Sequence, residues 1–286
     1  MRLRNIKAVG RQVEMDDRKS SFRQVTIRPI VICPFCCFRA LPQWAGAGIW
    51  KCRSCALMFR FPLPQSRDLK AQYEESWLHP ELSSDDTGAM PSEMAGCYLT
   101  NLVKTLGIAS LEGLKLVDFG AGKGVMTQAM VDAGADVTAV EPFGTEYLTK
   151  LGVRAVRTTD ELETRGTFDG VVTTEVLEHL CAPWEDLRKL HQILKPEGWL
   201  FMTVPNAAGL NARLLRSRWR EALKKSHLMF LVPETLEHLL LACGFSRIQR
   251  LRGFVSHRKN ASRRLIGYAL QTVRLDGGLR YVAWKS

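Results

Sequence analysis

The 286-residue chain contains no apolar run that approaches the roughly 18 residues needed to cross a bilayer, so no transmembrane helix is expected. Residues 1–21 are basic and lack the apolar stretch of a secretory signal, which leads to the expectation of a cytoplasmic protein. Acidic residues are missing altogether from positions 247–264, where seven Lys and Arg stand. They are scarce in two other stretches, with eight basic residues against three acids over 1–28 and six against one over 213–225. These patches carry more than the whole net charge of +11, so the rest of the chain is slightly acidic. Such patches are either solvated faces or surfaces for an anionic partner such as nucleic acid, a phosphorylated substrate or an anionic membrane. An apolar content of 46% and a charged content of 24% are ordinary for a globular protein, and the length suits one large domain with a small one.

The chain is organised around residues 114–124, Leu-Lys-Leu-Val-Asp-Phe-Gly-Ala-Gly-Lys-Gly. Leu114, Leu116, Val117 and Phe119 make a buried strand, and Gly120, Gly122 and Gly124 follow in a loop without side chains. Val125, Met126, Ala129, Met130 and Ala133 then recur at helical spacing. A second strand over 136–140 ends at Glu141. This is the layout of a nucleotide site, with backbone N–H groups at the loop and a carboxylate at the next strand tip for two ribose hydroxyls. The loop lacks the Gly-x-Gly-x-x-Gly spacing that favours a dinucleotide pyrophosphate. Its Gly-x-Gly-x-Gly follows Asp118, an acid that suits a ligand carrying positive charge.

The eight cysteines provide a second signal. Cys33-Pro34-Phe35-Cys36 and Cys52-Arg53-Ser54-Cys55 are two C-x-x-C knuckles separated by 15 residues. Four thiolates in this pattern suit a tetrahedral structural Zn²⁺, with no position left for a catalytic water. A chain of this size has too little core to fold alone, so metal binding can supply folding energy. Trp44, Ile49 and Trp50 are expected to pack over the metal, and the other four cysteines agree with a reducing compartment.

Val117-Asp118-Phe119-Gly120-Ala121-Gly122-Lys123-Gly124 resembles the first motif of class I S-adenosylmethionine-dependent methyltransferases. Ala139-Val140-Glu141-Pro142, Phe168-Asp169-Gly170-Val171-Val172, Glu175-Val176-Leu177-Glu178-His179-Leu180 and Leu194-Lys195-Pro196-Glu197-Gly198-Trp199-Leu200 with Val204-Pro205-Asn206 resemble later pieces in the family's order, over about residues 97–252. Glu197 stands where the family usually has glycine. The ribbon, the proline exit at 59–64 and a Tyr-Glu-Glu segment resemble a bacterial subgroup with an N-terminal zinc ribbon.

The resemblance implies an α/β fold: a Rossmann-like seven-stranded doubly wound sheet, order 3-2-1-4-5-7-6 with strand 7 antiparallel, preceded by a small zinc ribbon. The expected organisation is a flexible basic arm over 1–28, the ribbon over 29–61 and a linker and helix over 62–96. The S-adenosylmethionine-binding domain follows over 97–286, with an acceptor-covering insertion over 206–232.

The expected cofactor residues are Asp118, Gly120, Ala121, Gly122, Gly124, Glu141 and Pro142. Tyr73, from a helix over 69–77, is expected to cover the cofactor, and Thr159 and Asp160 to lie near the adenine. Thr174, Glu175 and Val176 sit at the carboxyl end of the fourth strand, where an open parallel sheet binds ligands. His179 and His227 are candidate general bases, each with an alternative role in holding a loop or lid. The expected reaction is methyl transfer to a small-molecule or sugar-type metabolite, and arginines of the insertion suit an anionic one. The alternative acceptor is rRNA or tRNA, reached through the ribbon and basic patches. A reading from another class is a non-catalytic zinc-ribbon binding module. A nicotinamide-dependent oxidoreductase is disfavoured by the Glu175–Leu180 segment.

Overall fold

The computed structural model describes residues 30–65, 68, 71, 73–75, 90–162, 165–252 and 261–286, the side chains of 261–265 and 268 excepted. The expected arm over 1–28 and much of the expected linker and helix over 62–96 lie outside the described residues. Val31–Ser286 form one compact unit.

The unit opens with an antiparallel sheet of β1 (Val31–Ile32), β2 (Arg39–Trp44), β3 (Ile49–Cys52) and β4 (Met58–Arg60). The two cysteine knuckles form the β1–β2 and β3–β4 turns. The helix Ser92–Leu106 leads into β5 (Lys115–Phe119), β6 (Asp136–Val140), β7 (Arg154–Val156), β8 (Phe168–Thr174) and β9 (Leu194–Pro205), which are parallel to one another. Next come β10 (Met229–Phe230), β11 (Phe245–Arg250) and β12 (Gly278–Lys285). The large sheet runs β11-β12-β9-β8-β5-β6-β7, with β12 antiparallel to β9 and β11. This is the expected seven-strand order. Among the described residues, no helix is long and apolar enough to cross a membrane.

The central strands read as near-continuous apolar runs because helices cover both faces. Helices Ser92–Leu106 and Val125–Asp132 bury Tyr98, Leu102, Met126 and Met130 against Phe201 and Val282 on one face. Helices Pro183–Ile193 and Pro233–Ala242 bury Leu187, Leu190, Leu236 and Leu239 on the other. Both begin with proline, whose missing N–H and fixed φ suit the first helical turn. Glu197, where the resembling family has glycine, takes φ 60, the left-handed conformation that glycine favours.

The small sheet does not end with the ribbon. β10 pairs antiparallel with β4, so a strand from the expected insertion becomes the fifth of that sheet. Strand alternation then decides where the ribbon's large side chains go. Cys52 and Phe59 face the main core, and Trp50 packs against it. Trp44, Ile49 and Met58 face the opposite way, onto Ala212, Trp219, Ala222 and Phe230 of the insertion. The expectation that Trp44 and Ile49 pack over the metal is corrected accordingly.

Candidate functional site

Gly120, Gly122 and Gly124 all adopt positive φ, at 77°, 53° and 77°, which turns the chain sharply from β5 into the helix Val125–Asp132. A Cβ on Gly120 would lie 2.4 Å from Cγ2 of Val176, so two sequence-predicted site residues meet here and leave no room for a side chain. Among the described residues a Cβ on Gly122 would meet nothing within 4 Å, so the open side of the loop is at Gly122. Glu141, at the tip of β6, is buried; its carboxylate accepts from the N–H of Gly122 at 2.9 Å and of Phe143 at 3.1 Å. Ala121, between Gly120 and Gly122, donates its N–H to the Val140 carbonyl at 3.3 Å. Pro142 is exposed beside Glu141.

Asp118 is 1% exposed, and its carboxylate accepts a 2.5 Å hydrogen bond from Thr127 Oγ1, tying the strand tip to the helix after the loop. Burial lifts its carboxyl to about 7; the Thr127 bond opposes this and the Glu141 charge adds to it. A cationic ligand close by would favour the ionised form. Thr159 and Asp160 form a short turn after β7. Asp160 is exposed and bound to Lys189 Nζ at 2.8 and 2.9 Å, which anchors that turn to the helix Pro183–Ile193.

The carboxyl end of β8 forms the opposite wall. Thr174 ends the strand, and Glu175 follows at φ 56, a conformation uncommon for a residue with a side chain. Its carboxylate accepts from Thr203 Oγ1 at 3.0 Å, and its N–H donates to the Thr203 carbonyl at 2.9 Å. Beyond this turn stands His179. Its Nδ1 lies 3.2 Å from the Ser226 carbonyl, which only accepts, so Nδ1 carries the proton and Nε2 the lone pair. The His227 ring lies 4.6 Å away, edge to face. Tyr73 stacks on Phe143 at 5.8 Å and meets His179 at 6.0 Å, bridging the β6 and β8 tips.

His227 is 3% exposed. Burial, followed by the neighbouring His179 and the positive charge of Lys224, Arg60 and Arg220, pushes its pKa down to about 2, so its ring stays neutral. Glu178, quoted in the motif but not singled out as a site residue, is 2% exposed, and neither carboxyl oxygen has a hydrogen-bond partner among the described residues. Burial, with the Glu175 charge second, raises its carboxyl well above the usual carboxylate range. Ligand atoms of Glu178, His179 and His227 lie within 4.8 Å of one another, a donor set able to take a divalent cation or share a proton. An acid beside His179 was visible in the sequence; its approach to His227, 49 residues on, was not.

The cysteines form a separate cluster. Sγ separations are 3.7 Å for Cys33–Cys55, 3.4 Å for Cys36–Cys52 and 3.5 Å for Cys36–Cys55. Thiolates about 2.3 Å from a tetrahedral Zn²⁺ would be about 3.8 Å apart, so the four sulfurs fit that ion closely.

A methyltransferase-domain family profile matches residues 91–250. The chain is 33% identical over 151 residues to the ubiquinone biosynthesis O-methyltransferase of Caulobacter vibrioides, covering 46% of this chain and 59% of that protein. It is 36% identical over 109 residues to the corresponding protein of Bordetella avium, covering 34% and 45%. The aligned stretch thus spans about half the length of these relatives. Among solved structures, a Burkholderia thailandensis 1,6-didemethyltoxoflavin-N1-methyltransferase with bound S-adenosylhomocysteine is similar in fold. Its TM-score is 0.51 at 20% identity, over 80% of this chain and 96% of that one. A Thermotoga maritima S-adenosylmethionine-dependent methyltransferase also has a TM-score of 0.51, at 17% identity over 77% and 97%.

Proposed function

The chain belongs to the methyltransferase-domain family, and we propose that it transfers a methyl group from S-adenosylmethionine to a hydroxyl oxygen of a small-molecule acceptor. The observation that carries this reading is convergence at the carboxyl ends of β5, β6 and β8. The glycine loop, Glu141 and His179 meet there around the Tyr73–Phe143 pair. The oxygen acceptor is supported by the ubiquinone biosynthesis O-methyltransferases among its relatives.

S-adenosylmethionine, when bound, supplies a methyl group already activated on a sulfonium. Glu141, which accepts two backbone N–H bonds here, is placed to accept ribose hydroxyls as well. Asp118 sets the loop through Thr127 and contributes negative charge behind it. His179 takes the acceptor's proton at Nε2 as the C–O bond forms and the C–S bond breaks, its Nδ1–H held by the Ser226 carbonyl. Glu178, whose carboxyl burial raises, lies near enough to share the proton His179 then gains. His227, held neutral by burial, is too weak a base for this step and serves to position His179. Tyr73 and Phe143 help exclude water.

The test is titration calorimetry with S-adenosylmethionine, followed by transfer of radiolabelled methyl to a panel of phenols, catechols and hydroxylated metabolites. His179→Gln should lower kcat about a hundredfold with unchanged cofactor affinity. Equal rates for the two proteins would remove the base assignment. An RNA acceptor, suggested by the exposed Arg213, Arg216 and Arg218, requires methylation of RNA and an affinity that falls steeply with salt.

A further inference from the structure

We infer that Arg60, on the last strand of the cysteine ribbon, is a positioning residue for methyl transfer. It holds the segment carrying Ser226 and His227 against His179, and so makes the acceptor side of the site depend on the ribbon and its metal. The inference rests on the assignment of His179 as the base.

One guanidinium binds four carbonyls. Nη1 donates to Ala47 at 2.7 Å within the ribbon, while Nε donates to His227 at 3.0 Å and Nη2 to Ala222 and Lys224 at 3.0 and 2.9 Å in the insertion. Its backbone N–H donates to Leu228 at 2.8 Å, and the Leu228 N–H donates to the Glu178 carbonyl at 2.7 Å. A hydrogen-bonded path thus runs from β4 through the insertion to the residue beside His179. The segment 226–228 is held on both sides, by Arg60 on the ribbon and by Glu178 and His179 at the tip of β8. β10 follows directly and pairs with β4. Phe230 lies under the Arg60 guanidinium at 5.6 Å and against Trp44 at 6.3 Å.

These contacts need both the shape and the charge of arginine. Its planar fork carries five N–H donors, whereas a lysine ammonium is a point charge with three donors and cannot span the same carbonyls. Truncating the side chain leaves several part-buried carbonyls of the segment before β10 without this donor. β1 and β4 are short, with two and three residues, so a metal held by the four sulfurs would add to the strand pairing that fixes Arg60 in space.

The experiment is amide hydrogen exchange on the zinc-loaded full chain, on Arg60→Lys and Arg60→Ala, and on wild type after treatment with a strong zinc chelator. The expected result is at least tenfold faster exchange over residues 220–231 in both variants and in the chelated protein. Amides of β5, β6 and β8 should stay protected, and S-adenosylmethionine affinity should stay within twofold. In the methyl-transfer assay, Arg60→Lys should lower kcat about tenfold with the cofactor KM unchanged. Unchanged exchange over 220–231 in Arg60→Lys or after chelation overturns the inference. So does loosening spread evenly over the large sheet, which would make Arg60 a general stabiliser. Failure of wild type to bind S-adenosylmethionine defeats the functional reading instead and leaves the exchange result standing.

Discussion

Residues 117–143 place the glycine loop, Asp118, Glu141 and Phe143 within a single strand–loop–helix–strand stretch, whereas the facing wall draws Tyr73, His179, Ser226, His227 and Arg60 from separate parts of the chain. The first half is held by short-range bonds such as Thr127 to Asp118 and Gly122 to Glu141. The second is held by bonds spanning 47 residues between His179 and Ser226 and up to 167 between Arg60 and His227. A local site keeps its geometry if one βαβ unit folds. A distributed site needs every contributing segment docked, and so is exposed to changes far from the chemistry. The ribbon is such a remote segment: it shares a sheet with the strand next to His227.

The difference between the halves can be broken by substitution. The largest effect is expected from Gly120→Ala, because its Cβ would sit 2.4 Å from Val176 at a φ of 77°. Cofactor affinity should fall at least a hundredfold, about 3 kcal/mol, with zinc content unchanged; calorimetry and metal analysis check the two parts. Cys33→Ser should act in the opposite sense. Metal content should drop and protease sensitivity should rise over the ribbon and residues 220–231, while cofactor affinity changes less than threefold. If cofactor binding is lost as well, the two halves are not separable.

A further effect is a pH signature. The Asp118 carboxyl is raised from 3.8 to about 7, so the folded state holds its proton over a range where the unfolded chain has released it. This contribution to stability is fully present below about pH 4 and is lost as the pH rises through about 7. Asp118→Asn should remove that fall, giving a Tm that declines less than wild type between pH 4 and 7 in parallel thermal melts. Identical slopes would mean that the burial of Asp118 has no energetic consequence.

The cofactor half was legible because its determinants are contiguous: apolar alternation, glycines at positive φ and an acid at the next strand tip all act within one window of chain. The cysteine cluster was legible for the same reason, since two knuckles announce four ligands, and their sulfurs do converge. The order of the seven strands followed from the family resemblance rather than from periodicity. The two histidines could be named from the sequence but not ranked. Only tertiary packing shows that His227 is buried and held neutral, while His179 is oriented by the Ser226 carbonyl.

Arg60 carried no signal at all, being one basic residue among 40. Nor did the sequence show that β10 completes the ribbon's sheet. A two-residue strand has no period to detect, and the partners of a guanidinium that binds carbonyls are backbone atoms, which every residue possesses. The amino-acid sequence therefore determined the glycine loop and the cysteine knuckles, where chemistry is written in side-chain types at short spacing. The tertiary structure decided the acceptor side, where function depends on which distant backbone segments are brought within hydrogen-bonding distance.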